Sequence, residues 1–149
     1  MLYGRKKNAA KKQELLDWLQ PFEQQPVSRL SDASYDIFTY HGEDGIIGYL
    51  LQQLENVPPV FVDVGAGNCI VGNCSTLAVH FGWKGIFIDR DPLQILTGKK
   101  FYSKTNHAGT GINFISEEIK PDNINQVIAN TGIEGEVGLL SIDIDGNDY

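Results

Sequence analysis

Apolar residues in this chain fall into two patterns. Short, mostly apolar runs occur at 60–64 (Val-Phe-Val-Asp-Val, interrupted by Asp63), 85–88, 112–115 (interrupted by Asn113) and 137–144 (interrupted by Gly138, Ser141 and Asp143). Between them, apolar residues recur at helical spacing. Residues 8–19 place Leu15, Leu16, Trp18 and Leu19 on one stripe, and Pro21 stops it. Residues 21–42 carry Pro21, Pro26, Ser31 and Ser34 as breakers and read as irregular. A second helix is predicted over about 43–54, with Glu43 and Asp44 in the first turn, where the helix dipole favours acids. Gly45 and Gly48 weaken it, so packing must hold it. Pro58-Pro59 launches the first strand, 60–64; a short helix over 75–81 ends at Gly82, and the second strand is 85–88. Asp91-Pro92 starts a helix to about 101, with Pro92 at the tolerated first position. A polar loop covers 104–111, followed by a strand at 112–115, a helix at 121–129 and a strand at 137–144. Strands alternating with helices imply a parallel sheet built from right-handed crossovers, and continuous apolar strands imply that both faces are covered.

The chain has 149 residues, enough for one domain. Its 42% hydrophobic and 21% charged content is ordinary for a globular chain. No run approaches the ~18 apolar residues of a membrane span. The basic N-terminus has no apolar core after it, so no signal peptide is expected, and the expected compartment is the cytoplasm. Net charge is −7, but Arg5, Lys6, Lys7, Lys11 and Lys12 all precede the first acid, Glu14, so the remainder is more acidic still. An acidic body repels phosphate backbones and makes nucleic acid a poor partner. Cys69 and Cys74 are too few for a structural zinc site and read as small packing residues beside a glycine-rich turn.

The candidate chemistry centres on Val60 to Asn68, where a strand runs into Gly65-Ala66-Gly67. Gly65 lets the chain leave the strand sharply, and Gly67 leaves room for a ligand against bare backbone. Asp89 ends the second apolar run, directly after the 85–88 strand and 22 residues after Gly67. A glycine turn after one strand and an acid after the next is how α/β folds hold a nucleoside, with the carboxylate on the ribose hydroxyls. Asp63 lies inside the first strand and needs hydrogen bonds there; backbone amides of the turn or a cationic ligand would both serve. The third glycine of the dinucleotide fingerprint is replaced by Ile70, which argues against NAD. No Gly-Lys-Ser/Thr follows the strand, which excludes a P-loop. S-adenosylmethionine carries no phosphate and bears a sulfonium cation that an acidic rim tolerates.

Residues 62–68 (Val-Asp-Val-Gly-Ala-Gly-Asn), 82–92 (Gly-Trp-Lys-Gly-Ile-Phe-Ile-Asp-Arg-Asp-Pro) and 139–149 (Leu-Leu-Ser-Ile-Asp-Ile-Asp-Gly-Asn-Asp-Tyr) resemble class I S-adenosylmethionine-dependent methyltransferases, most closely the FkbM-like branch. The upstream His-Gly-Glu-Asp-Gly-Ile-Ile, 41–47, is also similar to that branch. The resemblance runs from about residue 35 to the end, leaving 1–34 as an N-terminal helical segment and linker. It implies a Rossmann-like parallel sheet of order 3-2-1-4 with flanking helices and two N-terminal helices. It also implies site roles. Gly65, Ala66 and Gly67 would pass under the methionine part, and Asp63 would fix the turn or the amino group. Asp89 would accept the ribose hydroxyls, Arg90 would lie along the adenine, and Ser116 and Glu117 would lie near its edge. Glu43 and Asp44 would close over the amino acid end, unless they are simply acids at a helix start. Asp143 would face the methyl group or the acceptor and is the candidate base.

The sequence departs from the family at Cys69, which replaces a small residue and is expected to narrow the pocket. Family members continue through three more strands, so a fragment, or a partner that covers the open edge of the fourth strand, is expected. Asp143, Asp145 and Asn147 open like an EF-hand loop that then fails; a Mg²⁺ site on Asp143 and Asp148 is the remaining metal option. His41, His80 and His107 are scattered, without triad partners in sequence. Three functions stay open: a methyltransferase, or its cofactor-binding half, acting on a sugar or other small hydroxyl acceptor; a non-catalytic binding module in an assembly; and an NAD-type oxidoreductase.

Overall fold

The computed structural model describes residues 2–105 and 111–144, with side chains from residue 10 onward. Its elements in chain order are α1 (Leu2–Leu19), α2 (Glu43–Gln52), β1 (Val60–Val64), α3 (Ser75–His80), β2 (Lys84–Asp89), α4 (Pro92–Tyr102), β3 (Ile112–Ser116), α5 (Ile124–Ala129) and β4 (Leu139–Ile142). The four strands form one parallel sheet of order β3-β2-β1-β4, as expected for a Rossmann-like α/β fold. The register pairs Val64 with Ile88 and with Ile142, and Asp89 with Ser116, so the strand ends that could carry chemistry lie side by side.

Side chains alternate across the sheet. Phe61 and Phe87 face one side, where Cys74, Ala78 and Val79 of the α3 region and Ile95 and Tyr102 of α4 bury them. Val62, Val64, Ile86 and Ile88 face the other, where Val127 of α5 packs. A separate cluster of Leu15, Leu19, Ala33 and Tyr49 joins the N-terminal helices.

Several boundaries differ from the sequence reading, each for a local reason. The segment 21–42 contains two 3₁₀ turns, Gln20–Glu23 and Leu30–Ala33, the first with Pro21 in its opening turn. The fifth helix starts at Ile124 rather than 121. Asn123 holds the preceding turn by accepting from the Lys120 N–H at 2.7 Å and donating to the Glu118 carbonyl at 2.8 Å. The fourth strand is shorter than 137–144. The Gly138 N–H donates to Val60 O and the Asp143 N–H to Val64 O, bracketing the paired stretch, and beyond Val64 the Gly65 turn (φ +80°) bends the partner away. α4 begins as expected: Asp91 accepts from the Leu93 N–H at 2.8 Å and Pro92 follows it.

Candidate functional site

The glycine turn folds back on β2. The Gly65 and Ala66 N–H groups both donate to Ile88 O, at 2.9 and 3.0 Å. Asp89 then clamps the turn: its Oδ2 accepts from the Gly67 N–H and its Oδ1 from the Asp91 N–H, each at 2.8 Å. The Asp89 carbonyl takes the Glu117 N–H at 3.0 Å, which brings the segment after β3 to the same place. Asn68 stabilises the rest of the loop, its Oδ1 accepting from Ile70 and Val71 N–H groups.

The two glycines have different jobs. Both have positive φ, +80° at Gly65 and +52° at Gly67. A Cβ on Gly65 would overlap the Asp143 carbonyl oxygen, so Gly65 lets the end of β1 abut the end of β4. A Cβ on Gly67 would meet nothing within 4 Å. Gly67 is therefore the position with bare backbone facing open space.

That space is a cleft of about 770 Å³ at the carboxyl ends of the strands, beside the point where strand order reverses between β1 and β4. It brings together Gly65, Gly67, Asp89, Arg90, Glu117 and Asp143. The sequence reading missed its apolar wall, made by Ile119, Pro121, Ile124, Ile142 and Ile144. The available signal was the apolar spacing after β3, part of which falls in the helix expected over 121–129. Glu118 and Lys120 also line the cleft and pair at 2.7 Å, each holding the other in its charged form. The lining thus has four carboxylates against two cations.

The other expected site residues lie elsewhere. Ser116 ends β3, paired with Asp89, but does not line the cleft. Ala66 is buried in the core beneath the turn. Glu43 accepts from the His41 N–H at 2.9 Å, a local contact at the start of α2. Asp63 is buried on the α3 and α4 side of β1, where Ser141 and the Cys74 amide and thiol approach it. Burial pushes its carboxyl up to about 6, against the pull of those three groups. Its Oδ2 has no hydrogen-bond partner, and Asn73 reaches the same network through Ser141 Oγ at 3.1 Å. Asp63 therefore faces Cys74 and Ser141 inside the protein, and it does not line the cleft.

Cys69 does not narrow the cleft. Its side chain is buried against α4, where a Cβ on Gly98 would come within 2.7 Å of the Cys69 Cβ. Cys69 takes a left-handed φ of +59°, which is unusual for a residue with a side chain. Both cysteines are free thiols, and burial pushes Cys69 up to about 12 and Cys74 well above its ordinary value. His80 lies on α3, as expected, with its ring stacked on Phe38 at 5.4 Å.

His107, Asp145, Asn147, Asp148 and Tyr149 lie outside the described residues, as do the side chains of Arg5, Lys6 and Lys7. Among the described residues, no three His, Cys, Asp or Glu side chains converge as a metal site. No described helix is long and apolar enough to cross a membrane. No protein family, curated protein or solved structure matches the chain.

Proposed function

We propose that this chain binds S-adenosylmethionine and forms a methyltransferase, or its cofactor-binding half, acting on a small hydroxyl acceptor such as a sugar. The observation that carries this reading is the shared cleft: an open-backbone turn at Gly67, a carboxylate at Asp89 clamped to it, and Asp143 on the neighbouring strand end. Two features favour a cofactor without phosphate. α3 begins only at Ser75, and none of its residues lines the cleft, so the helix after the glycine turn does not offer its N-terminus to a pyrophosphate. The excess of carboxylates around the cleft suits a cation.

In this reading Gly67 admits the methionine part, Asp89 accepts from the ribose hydroxyls, and Arg90 and Glu117 border the base beside the apolar wall. Bound there, the cofactor supplies an electrophilic methyl group. Asp143 takes the proton of the acceptor hydroxyl, a role worth typically ~10²–10⁴-fold. Alignment of the acceptor contributes through effective molarity. A second reading, a binding module that works within an assembly, draws support from Leu140 and Ile142, exposed at 54% and 43% on a strand with one neighbour.

Thermal unfolding with each ligand tests the proposal. A ligand at 100 times its dissociation constant stabilises a fold by about 2.7 kcal/mol. S-adenosylmethionine and its demethylated product are expected to raise the midpoint, and NAD is not. A shift with NAD alone overturns the proposal, and a shift with S-adenosylmethionine but no turnover on any hydroxyl acceptor favours the second reading.

A further inference from the structure

A second cavity, of about 290 Å³, lies between α1, α2 and α3 and shares no residue with the cleft. Its body is aliphatic, with Leu15, Leu19, Ile47, Leu51 and Leu77 among its walls. Polar residues interrupt this wall at spaced points, and three of them carry buried oxygens without partners: Asp44 Oδ1, Gln52 Oε1 and Thr76 Oγ1.

Asp44 is the clearest of these. It is 2% exposed, and its Oδ2 is saturated by the N–H groups of Ile37, Phe38 and Thr39 at 2.7, 2.7 and 3.0 Å and by the Thr39 hydroxyl at 3.0 Å. Its Oδ1 has nothing. Leaving such an oxygen unpaired is destabilising, and an ammonium donor would remove that cost. The far end of the cavity also carries acceptors. Gln52 lies eight residues along α2 from Asp44, about 12 Å at the helical rise. The Gly48 position abuts Leu19 and Phe22 packs edge-on to Tyr49, so the end of α1 and the turn after it lie beside the second half of α2, and Glu23 lines the cavity together with Gln52.

We propose that this cavity binds a linear aliphatic diamine, with one ammonium on Asp44 and Thr76, the methylene chain along the leucines, and the second ammonium on Glu23 and Gln52. At roughly 30 Å³ per heavy atom in a liquid, the volume suits about ten heavy atoms, and an extended chain of that size has the length required. The site is independent of the cofactor cleft.

Isothermal titration of the full chain with unbranched diamines of about four to ten carbons tests this, with octylamine and octanediol as controls. Binding is expected to peak near octanediamine, with octylamine and octanediol each weaker by about tenfold or more. Asp44 also fastens residues 37–39, so the diagnostic variants are Glu23→Gln and Thr76→Val. Glu23 is exposed, so Glu23→Gln should weaken octanediamine by roughly two- to fivefold and leave octylamine unchanged, and Thr76→Val should weaken both. Equal binding of octanediol would show a merely apolar cavity and overturn the proposal. Failure of every diamine to bind would show that water alone satisfies these oxygens and would overturn it equally. Amide shifts centred on Gly67 and Asp89, rather than on Leu51 and Leu77, would place the ligand in the cleft and also refute it.

Discussion

Asp89 Oδ2 and the Gly67 N–H meet at 2.8 Å, so the end of β2 holds the turn that follows β1. In the proposed function the same carboxylate receives the ribose and shapes the backbone against which the cofactor would rest. Asp89→Ala leaves the Gly67 and Asp91 N–H groups without their acceptors. We expect a stability loss of about 1–3 kcal/mol in urea denaturation, together with loss of the midpoint shift from S-adenosylmethionine. A variant that keeps the full ligand shift would separate Asp89 from binding.

Gly65 and Gly67 are expected to respond differently to alanine. Gly65→Ala drives a Cβ into the Asp143 carbonyl at a left-handed position, so it should fail to fold or lose several kcal/mol. Gly67→Ala meets no atom within 4 Å and carries only the left-handed penalty, about 1–2 kcal/mol. It should fold, with cofactor affinity reduced by the methyl group facing the cleft. Circular dichroism and ligand titration on the pair would show the contrast.

Asp63 predicts a pH dependence. Its folded-state value, about 6, lies above the ordinary 3.8, so the folded chain binds this proton more tightly than the unfolded chain. The resulting stability is fully present below about pH 4 and is lost as pH rises through about 6, an effect of order 3 kcal/mol. Asp63→Asn keeps the shape and removes the titration. The stability of the wild type minus that of Asp63→Asn should therefore fall between these pH values; a flat difference in denaturant titrations would refute the assignment.

Gly98 and Cys69 should be energetically coupled. Gly98→Ala places a Cβ 2.7 Å from the Cys69 Cβ and 3.0 Å from Asn68 O, for an expected loss of about 1–3 kcal/mol. In Cys69→Gly the first of these clashes disappears. A double-mutant cycle should show favourable coupling of about 0.5 kcal/mol or more; additive losses would mean that α4 moves instead.

The strands were legible because β1 and β2 are covered on both faces, which leaves unbroken apolar runs such as 85–88 in the sequence. The meeting of Gly67 with Asp89 was legible because parallel neighbours end at the same edge. The side of β1 that Asp63 faces was also within reach: two residues from Phe61, it must share Phe61's face and so lie behind the turn. Other features depend on three-dimensional packing with no local sequence signature. Gly98 reads as a weak helix residue until α4 is laid against Cys69. Asn123 delays α5 by bonds to the segment before it, although the residue itself suits a helix start. The apolar wall of the cleft comes from two segments, 119–124 and 142–144, that only the sheet order brings together.

β4 borders the sheet with four uncharged residues, Leu139 to Ile142, on a chain whose net charge is −7. Mutual repulsion between copies of such a chain opposes stacking of these margins, and dissolved ions weaken repulsion of that kind. Light scattering should accordingly register growing particles as sodium chloride is raised, and Leu140→Lys should suppress the growth.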